Sequence, residues 1–171
     1  TGGVTTRLVT LAKVLVGSIR GGLGMVTVVG EYFFSGISGS TEADVSAIGS
    51  IMVPALKKAG YKSDETVSIV SAASAMGMLV PPSIPAVVLG GITGMSVGAL
   101  FVGGFLPAIV IAVCIMALIY IHAVRSKIPL EKRLSFKQSM KAVVGAILPL
   151  TFPVIIFAGI LTGAATCTEI A

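Results

Sequence analysis

The sequence predicts an all-α membrane protein in which transmembrane helices accompany a re-entrant helical hairpin and a proline-broken helix. Three observations carry this expectation. Hydrophobic residues make up 55% of the chain and charged residues only 11%, whereas soluble domains carry about 25% charged residues; a water-facing surface cannot be built from so little charge. No Asp, Glu, Lys or Arg occurs from 66 to 124, a run roughly two to three times the ~20 residues that cross a bilayer as a helix. The basic residues gather in short clusters between apolar runs, as loops retained in the cytoplasm do.

The same clusters account for the net charge of +5, so it gives no reason to invoke nucleic acid. Cys114 and Cys167 stand alone in apolar stretches, with neither metal-ligand spacing nor the framework of a disulfide-stapled domain. No cleavable signal peptide is expected at 1–20, where Arg7, Lys13 and Arg20 are spread out with no compact apolar core between them. A first residue other than Met and an end inside an apolar pattern mark the sequence as an excerpt of a longer protein.

Taken in order, 1–20 places Leu8, Leu11, Leu15 and Ile19 at helical spacing and reads as an amphipathic arm in the membrane interface. Residues 21–56 form two short apolar limbs around a Ser/Gly tip at 35–40. Neither limb comfortably spans ~30 Å, so the pair is a hairpin that enters and leaves by one side. Lys57, Lys58 and Lys62 put that side, the loop 57–65, in the cytoplasm.

Residues 66–95 form a discontinuous transmembrane helix. Pro81, Pro82 and Pro85 break it near mid-membrane, because proline removes donors and disfavours helical geometry in the residue before it. A charge-poor outer loop follows, then a transmembrane helix at 98–122. The segment 123–141 carries Arg125, Lys127, Lys132, Arg133, Lys137 and Lys141 against Glu131 alone and is cytoplasmic. The last helix, 142–171, is bent by Pro149 and Pro153 and truncated.

Non-helical backbone at membrane depth is tolerated only where protein or a water-filled cavity receives it. The tip and the double-proline break are therefore the candidate site. Broken helices leave carbonyls free for a small hard cation and N–H groups for an anion. Ser35, Ser38 and Ser40 supply hydroxyls, while Gly36 and Gly39 let backbone come close; the alternative reading is a tight turn capped by serine. Glu42 and Asp44 lie in the first turns after the tip, in a structural or an ion-coupling role. Glu31 is the one acid in the incoming limb, marking a functional position or facing an aqueous cavity. His122 ends a span beside Arg125, an ordinary interfacial position.

The motifs FSGISGS at 34–40, Ala43-Asp44, Pro54, Ala59-Gly60-Tyr61 and VPPSIP at 80–85 resemble, in order and spacing, the large permease subunit of TRAP transporters. Arg7-Leu8, SIRGGLG at 18–24 and 96–107 resemble further segments of that subunit, so the likeness runs along nearly all of the chain. The resemblance implies half of an inverted-repeat elevator transporter in the bacterial inner membrane, multi-pass, importing organic anions such as carboxylates or acidic sugars. It implies sodium as coupling ion with no cofactor, and as partners a periplasmic substrate-binding protein and a small membrane subunit. By the same likeness, one sodium is held at Ser35, Ser38, Gly77, Val80 and Pro82. Gly36, Gly39, Ser40, Asp44, Pro81 and Ser83 form the tip and substrate side. TCTE at 166–169 departs from the family's usual Thr-Pro-Thr-Glu at Cys167, and Glu42 stands where a small residue is usual.

Two other readings compete. Gly36-Ile37-Ser38-Gly39 matches the Gly-x-Ser-Gly of rhomboid-type intramembrane proteases, but such a serine needs a base within reach and His122 is expected at a different depth. The other is an elevator-type sodium/dicarboxylate symporter of another family, built on similar hairpins.

Overall fold

The computed structural model describes residues 3–130 and 134–161, all of them helix or connecting turn. The helices are α1 (Val4–Val16), α2 (Gly22–Ser38), α3 (Thr41–Lys58), α4 (Ser63–Ser74), α5 (Ile84–Thr93), α6 (Val97–Arg125) and α7 (Phe136–Leu161), with a 3₁₀ turn, Ala75–Met78, continuing α4. Thr166, Cys167, Thr168 and Glu169 lie outside the described residues, as do Glu131, Lys132 and Arg133.

The apolar residues of α2 recur without a polar face, and such a helix has to be buried on every side. It is the central helix. One side carries Leu23 and Val26 into a cluster with Val9 and Ala12 of α1, Ile48, Met52 and Leu56 of α3, Val70 of α4 and Ala123 of α6. The opposite side carries Met25 and Val28 into a second cluster with Ala73, Met76, Val80 and the α6 residues Ala108, Ala112 and Ile119.

α2 and α3 form a helical hairpin whose two ends lie together. At the start, Gly21 abuts α6, where a Cβ would come within 2.8 Å of Ala123 Cβ. At the finish, α3 closes with Tyr61 N–H to Leu56 O (3.1 Å) and Gly60 N–H to Lys57 O (3.2 Å), the paired bonds of a Schellman end. Tyr61, Leu56, Ala123 and Ile128 then share one cluster. His122 Nε2, near the end of α6, is 3.1 Å from Glu65 Oε1 at the start of α4. Lys57 and Lys58 at the end of α3, Arg125 at the end of α6, and Lys62 and Lys127 in the turns that follow therefore sit at one end of the bundle.

Several boundaries differ from the sequence reading. The arm is a packed helix whose buried face is Leu8, Val9, Leu11 and Ala12; Leu15 is 55% and Ile19 41% exposed, Ile19 lying beyond the end of the helix at Val16. The tip is shorter than six residues: Ser35 to Ser38 complete the last turn of α2, and only Gly39 and Ser40 stand outside helix. The break begins earlier than the prolines, with α4 tightening to 3₁₀ geometry at Ala75. Four residues before each proline, a carbonyl loses its α-helical donor, so the strain reaches back into the preceding turn. The basic segment is partly helical, since α6 runs on to Arg125 and α7 starts at Phe136.

Among the described residues, two stretches are long and apolar enough to cross a membrane, Val97–Arg125 in α6 and Phe136–Ile156 in α7. Only 17% of either hydrophobic window is buried, which distinguishes them from the core helix of a soluble domain. Leu106 is 69% and Leu118 67% exposed, an apolar surface suited to lipid or to further protein.

Candidate functional site at the hairpin tip and the broken helix

The two interruptions meet. Gly39 takes a left-handed conformation, φ 61, that ends α2 with its N–H on Ser35 O at 3.0 Å. The chain then turns into α3, whose N-cap is Ser40. Across the gap, Ile84 N–H donates to Gly39 O at 3.3 Å. Gly39 also backs onto Pro82, whose carbonyl occupies the space a Cβ would need. Only glycine satisfies both the positive φ and the close approach.

On the other side the broken helix presents Gly77. A Cβ there would lie 2.5 Å from Asp44 Oδ2 and 3.3 Å from Thr41 N, so the start of α3 rests directly on bare backbone. Pro81 and Pro82 offer no N–H to the carbonyls of Gly77 and Met78 four residues back. Ser83 Oγ donates to Met78 O at 2.6 Å and, as N-cap of α5, accepts from Ala86 N–H at 3.4 Å. Gly77 O is left without an α-helical donor. The end of α2 behaves likewise, since Ser40 N–H goes to Ser38 Oγ at 3.3 Å instead of continuing the ladder to Gly36 O.

Asp44 is the centre of the cluster. Its carboxylate is fully buried and accepts from the hydroxyls of Ser35 and Ser38. No lysine or arginine among the described residues pairs with it. Glu42, by contrast, faces outward and accepts from Ser40 Oγ at 2.7 Å. Val80 and Pro81 are buried beside the cluster and Pro82 half-buried. Gly36 packs on α7, where a Cβ would meet Pro153 Cγ at 3.5 Å, and on Pro81 O at 3.7 Å.

The predicted site residues are therefore brought to one place, with differences of role. The hydroxyls of Ser35 and Ser38 are committed to Asp44, Ser35 O already accepts from Gly39, and Ser40 and Ser83 cap helices. Two residues went unnoticed in the sequence. Thr41 Oγ1 is buried at the start of α3 with no hydrogen-bond partner. Ser74 donates to Glu31 Oε1 at 2.7 Å. Glu31 does not face an aqueous cavity: it is fully buried between α2 and α4, and its Oε2 has no partner. A bare Thr after a Ser/Gly tip carries no signal of its own, and the Glu31–Ser74 pair spans 43 residues.

Chemically, the cluster joins the C-terminal ends of α2 and of the 3₁₀ turn to the N-terminal ends of α3 and α5. The first pair supplies oxygen and the second N–H groups, so one small volume has donors for a cation and for an anion. No three His, Cys, Asp or Glu side chains converge among the described residues, and the oxygens are those of hydroxyl, backbone and one carboxylate, the ligand set of hard cations. The base beside Ser38 is the Asp44 carboxylate, and no imidazole is in reach of it. His122, the chain's single histidine, is at the other end of the bundle on Glu65 and Ser126 Oγ, and the protease reading falls.

All 171 residues match the family described as "Tripartite ATP-independent periplasmic transporter, DctM component". The chain is 39% identical over 165 residues to an ectoine/5-hydroxyectoine TRAP transporter large permease protein of Ruegeria pomeroyi, covering 96% of this chain and 39% of the relative. It is 40% identical over 171 residues to a C4-dicarboxylate TRAP transporter large permease of Pseudomonas aeruginosa, covering 100% and 40%. A sialic acid TRAP transporter large permease of Vibrio cholerae is 36% identical over 169 residues, covering 99% and 40%. The chain thus spans about two-fifths of the length of these relatives, which are transporter permeases and not enzymes. By this match over its whole length, the chain belongs to the DctM family, the large permease component of TRAP transporters.

Proposed function

We propose that the chain is part of a sodium-coupled, binding-protein-dependent importer of organic anions in the bacterial inner membrane, and that the cluster around Asp44 forms half of its transport site. The single observation behind this is the meeting of the two helix breaks, joined by Ile84 N–H on Gly39 O. Paired discontinuous helices are how transporters offer backbone oxygen to sodium and helix N-termini to an anionic substrate. In this reading the α2–α3 hairpin is re-entrant, sodium is drawn by Asp44 and ligated by oxygens of Ser35, Ser38, Gly77, Val80 and Pro82, and the substrate side is formed by Gly36, Gly39, Ser40, Pro81 and Ser83. The transported class is supported by the relatives named for C4-dicarboxylate and sialic acid; the relatives named for ectoine widen it to small carboxylated solutes. A soluble binding protein and a small membrane subunit are the expected partners, and the hairpin moves as part of an elevator. Family membership replaces the reading as another kind of elevator symporter.

The test is uptake by the complete permease, reconstituted with its small subunit in vesicles. Uptake is expected to require both the binding protein and sodium; transport by the membrane subunits alone would remove the binding-protein assignment. Ser38→Ala is expected to raise the sodium concentration for half-maximal uptake only modestly, because carbonyls share the ligation. Pro82→Ala is expected to raise it on the order of tenfold by letting the break re-form helix. A Pro82→Ala titration superimposable on wild type would count against the site.

A further inference from the structure

We propose that the cleft between α1 and the start of α7 binds the phosphate headgroup of an anionic phospholipid of the cytoplasmic leaflet. The cleft has a volume of about 840 Å³. Arg7 and Thr10 line it from α1, and Lys137, Gln138 and Lys141 from α7. Lys137 and Lys141 are four residues apart and so share one helix face; Arg7 comes from the facing wall. Three cations are thus turned to one volume. Among the described residues no acid lines the cleft, and none of the three cations is in an ion pair.

Like charges brought together without a counter-charge repel, and an anion between them relieves the repulsion. Arg7 adds a planar fork suited to two phosphate oxygens, and the lysines add point charges. The α7 wall is mixed in character: beside Lys137 and Lys141, Met140 and Val144 line the same cleft and are exposed. Both belong to the apolar stretch Phe136–Ile156. A soluble phosphate would use the cations and leave this apolar wall wet; a phospholipid uses both, its headgroup on the cations and its acyl chains along Met140 and Val144. A basic pocket between helices at the cytoplasmic edge of a span has the chemistry of a lipid headgroup site. The inference rests on the membrane reading of α7 and is independent of sodium coupling.

The experiment uses the complete permease in detergent, given an equal mixture of phosphatidylglycerol and phosphatidylcholine and examined by native mass spectrometry. Phosphatidylglycerol is expected to be retained preferentially. The triple variant Arg7→Gln, Lys137→Gln, Lys141→Gln should lose that preference by on the order of tenfold or more. Lys137→Arg with Lys141→Arg should keep it, and so should Lys57→Gln with Lys58→Gln, which removes charge elsewhere on the same end. If the triple variant does not fold, Lys141→Gln alone should weaken retention about fivefold.

Equal retention of the two lipids by the wild-type permease, or equal loss in the Lys57, Lys58 variant, would overturn the site. So would displacement of the lipid by excess inorganic phosphate, which would make the cleft a soluble-anion site. Uptake measured on the same preparations keeps the two proposals apart: wild-type vesicles that fail to transport would overturn the sodium-coupled reading and leave a positive lipid result standing.

Discussion

Glu31 and Asp44 are two buried acids held without a cation among the described residues, and their hydroxyl partners decide how well they are tolerated. Asp44 receives two hydroxyls, from Ser35 and Ser38. Glu31 receives one, from Ser74, whose oxygen also lies 2.9 Å from Val70 O. Removing a sole partner leaves a buried polar group unsatisfied, a loss of about 1–3 kcal/mol. Ser74→Ala is therefore expected to lower the thermal stability of the solubilised full permease clearly. Ser68→Ala, which removes only an exposed hydroxyl bonded within α4, should change it little. Equal melting of the two variants would mean that Ser74 does not support Glu31. The sequence pointed to both acids, by the rarity of charge inside an apolar limb and by position after a helix break. It gave no means of naming Ser74, because nothing local links it to Glu31.

The breaks of α2 and α4 depend on what packs against them. Gly104 of α6 lies against the broken helix, where a Cβ would come 2.6 Å from Leu79 O, whereas its neighbour Gly103 has open space. At 1.5 Å per residue this contact is about 10 Å from the start of α6 and about 30 Å from its end, so the break lies well off the middle of that helix. Gly104→Leu should destabilise the permease by roughly 1–3 kcal/mol through overpacking, and Gly103→Leu should be nearly neutral. Thermal melting in detergent checks the pair, and equal melting would remove α6 as the support of the break. A second matched pair isolates the tip. Gly39→Ala and Gly94→Ala both place a side chain at positive φ, roughly 1–2 kcal/mol, but only Gly39 also faces Pro82 O. Gly39→Ala should therefore depress the proposed sodium-dependent uptake severalfold more than Gly94→Ala does; equal uptake would show that the close approach at Pro82 is dispensable.

Across the whole molecule, charge and apolar surface are separated. The basic loops after α3 and α6 share one end, tied by His122 and Glu65, while the turn at Gly94 precedes α6 at the other. α6 and α7 expose most of their apolar surface. Single cysteines in an otherwise cysteine-free full permease test the orientation. Lys57→Cys and Ser126→Cys should both resist a membrane-impermeant thiol reagent applied to spheroplasts, and Gly94→Cys should react. Opposite accessibility of positions 57 and 126 would contradict the shared end; labelling of both with Gly94→Cys protected would invert the topology.

Composition and pattern were enough to point to an all-helical chain with apolar helices of membrane length, an interruption at the Ser/Gly tip and another at the double proline. These follow from local physics: charge cannot enter hydrocarbon, proline cannot donate, and glycine accepts the left-handed turn at position 39. The linked motifs likewise pointed to the permease family that the whole-length match shows. Tertiary structure alone decided that Gly39 and Ile84 touch, that Asp44 rests on Gly77, that Ser74 serves Glu31, and that α1 buries Val9 and Ala12 instead of Leu15 and Ile19. Each of these joins positions remote in sequence or depends on which neighbour covers a helix, and a helical repeat specifies a face but not the partner that will bury it.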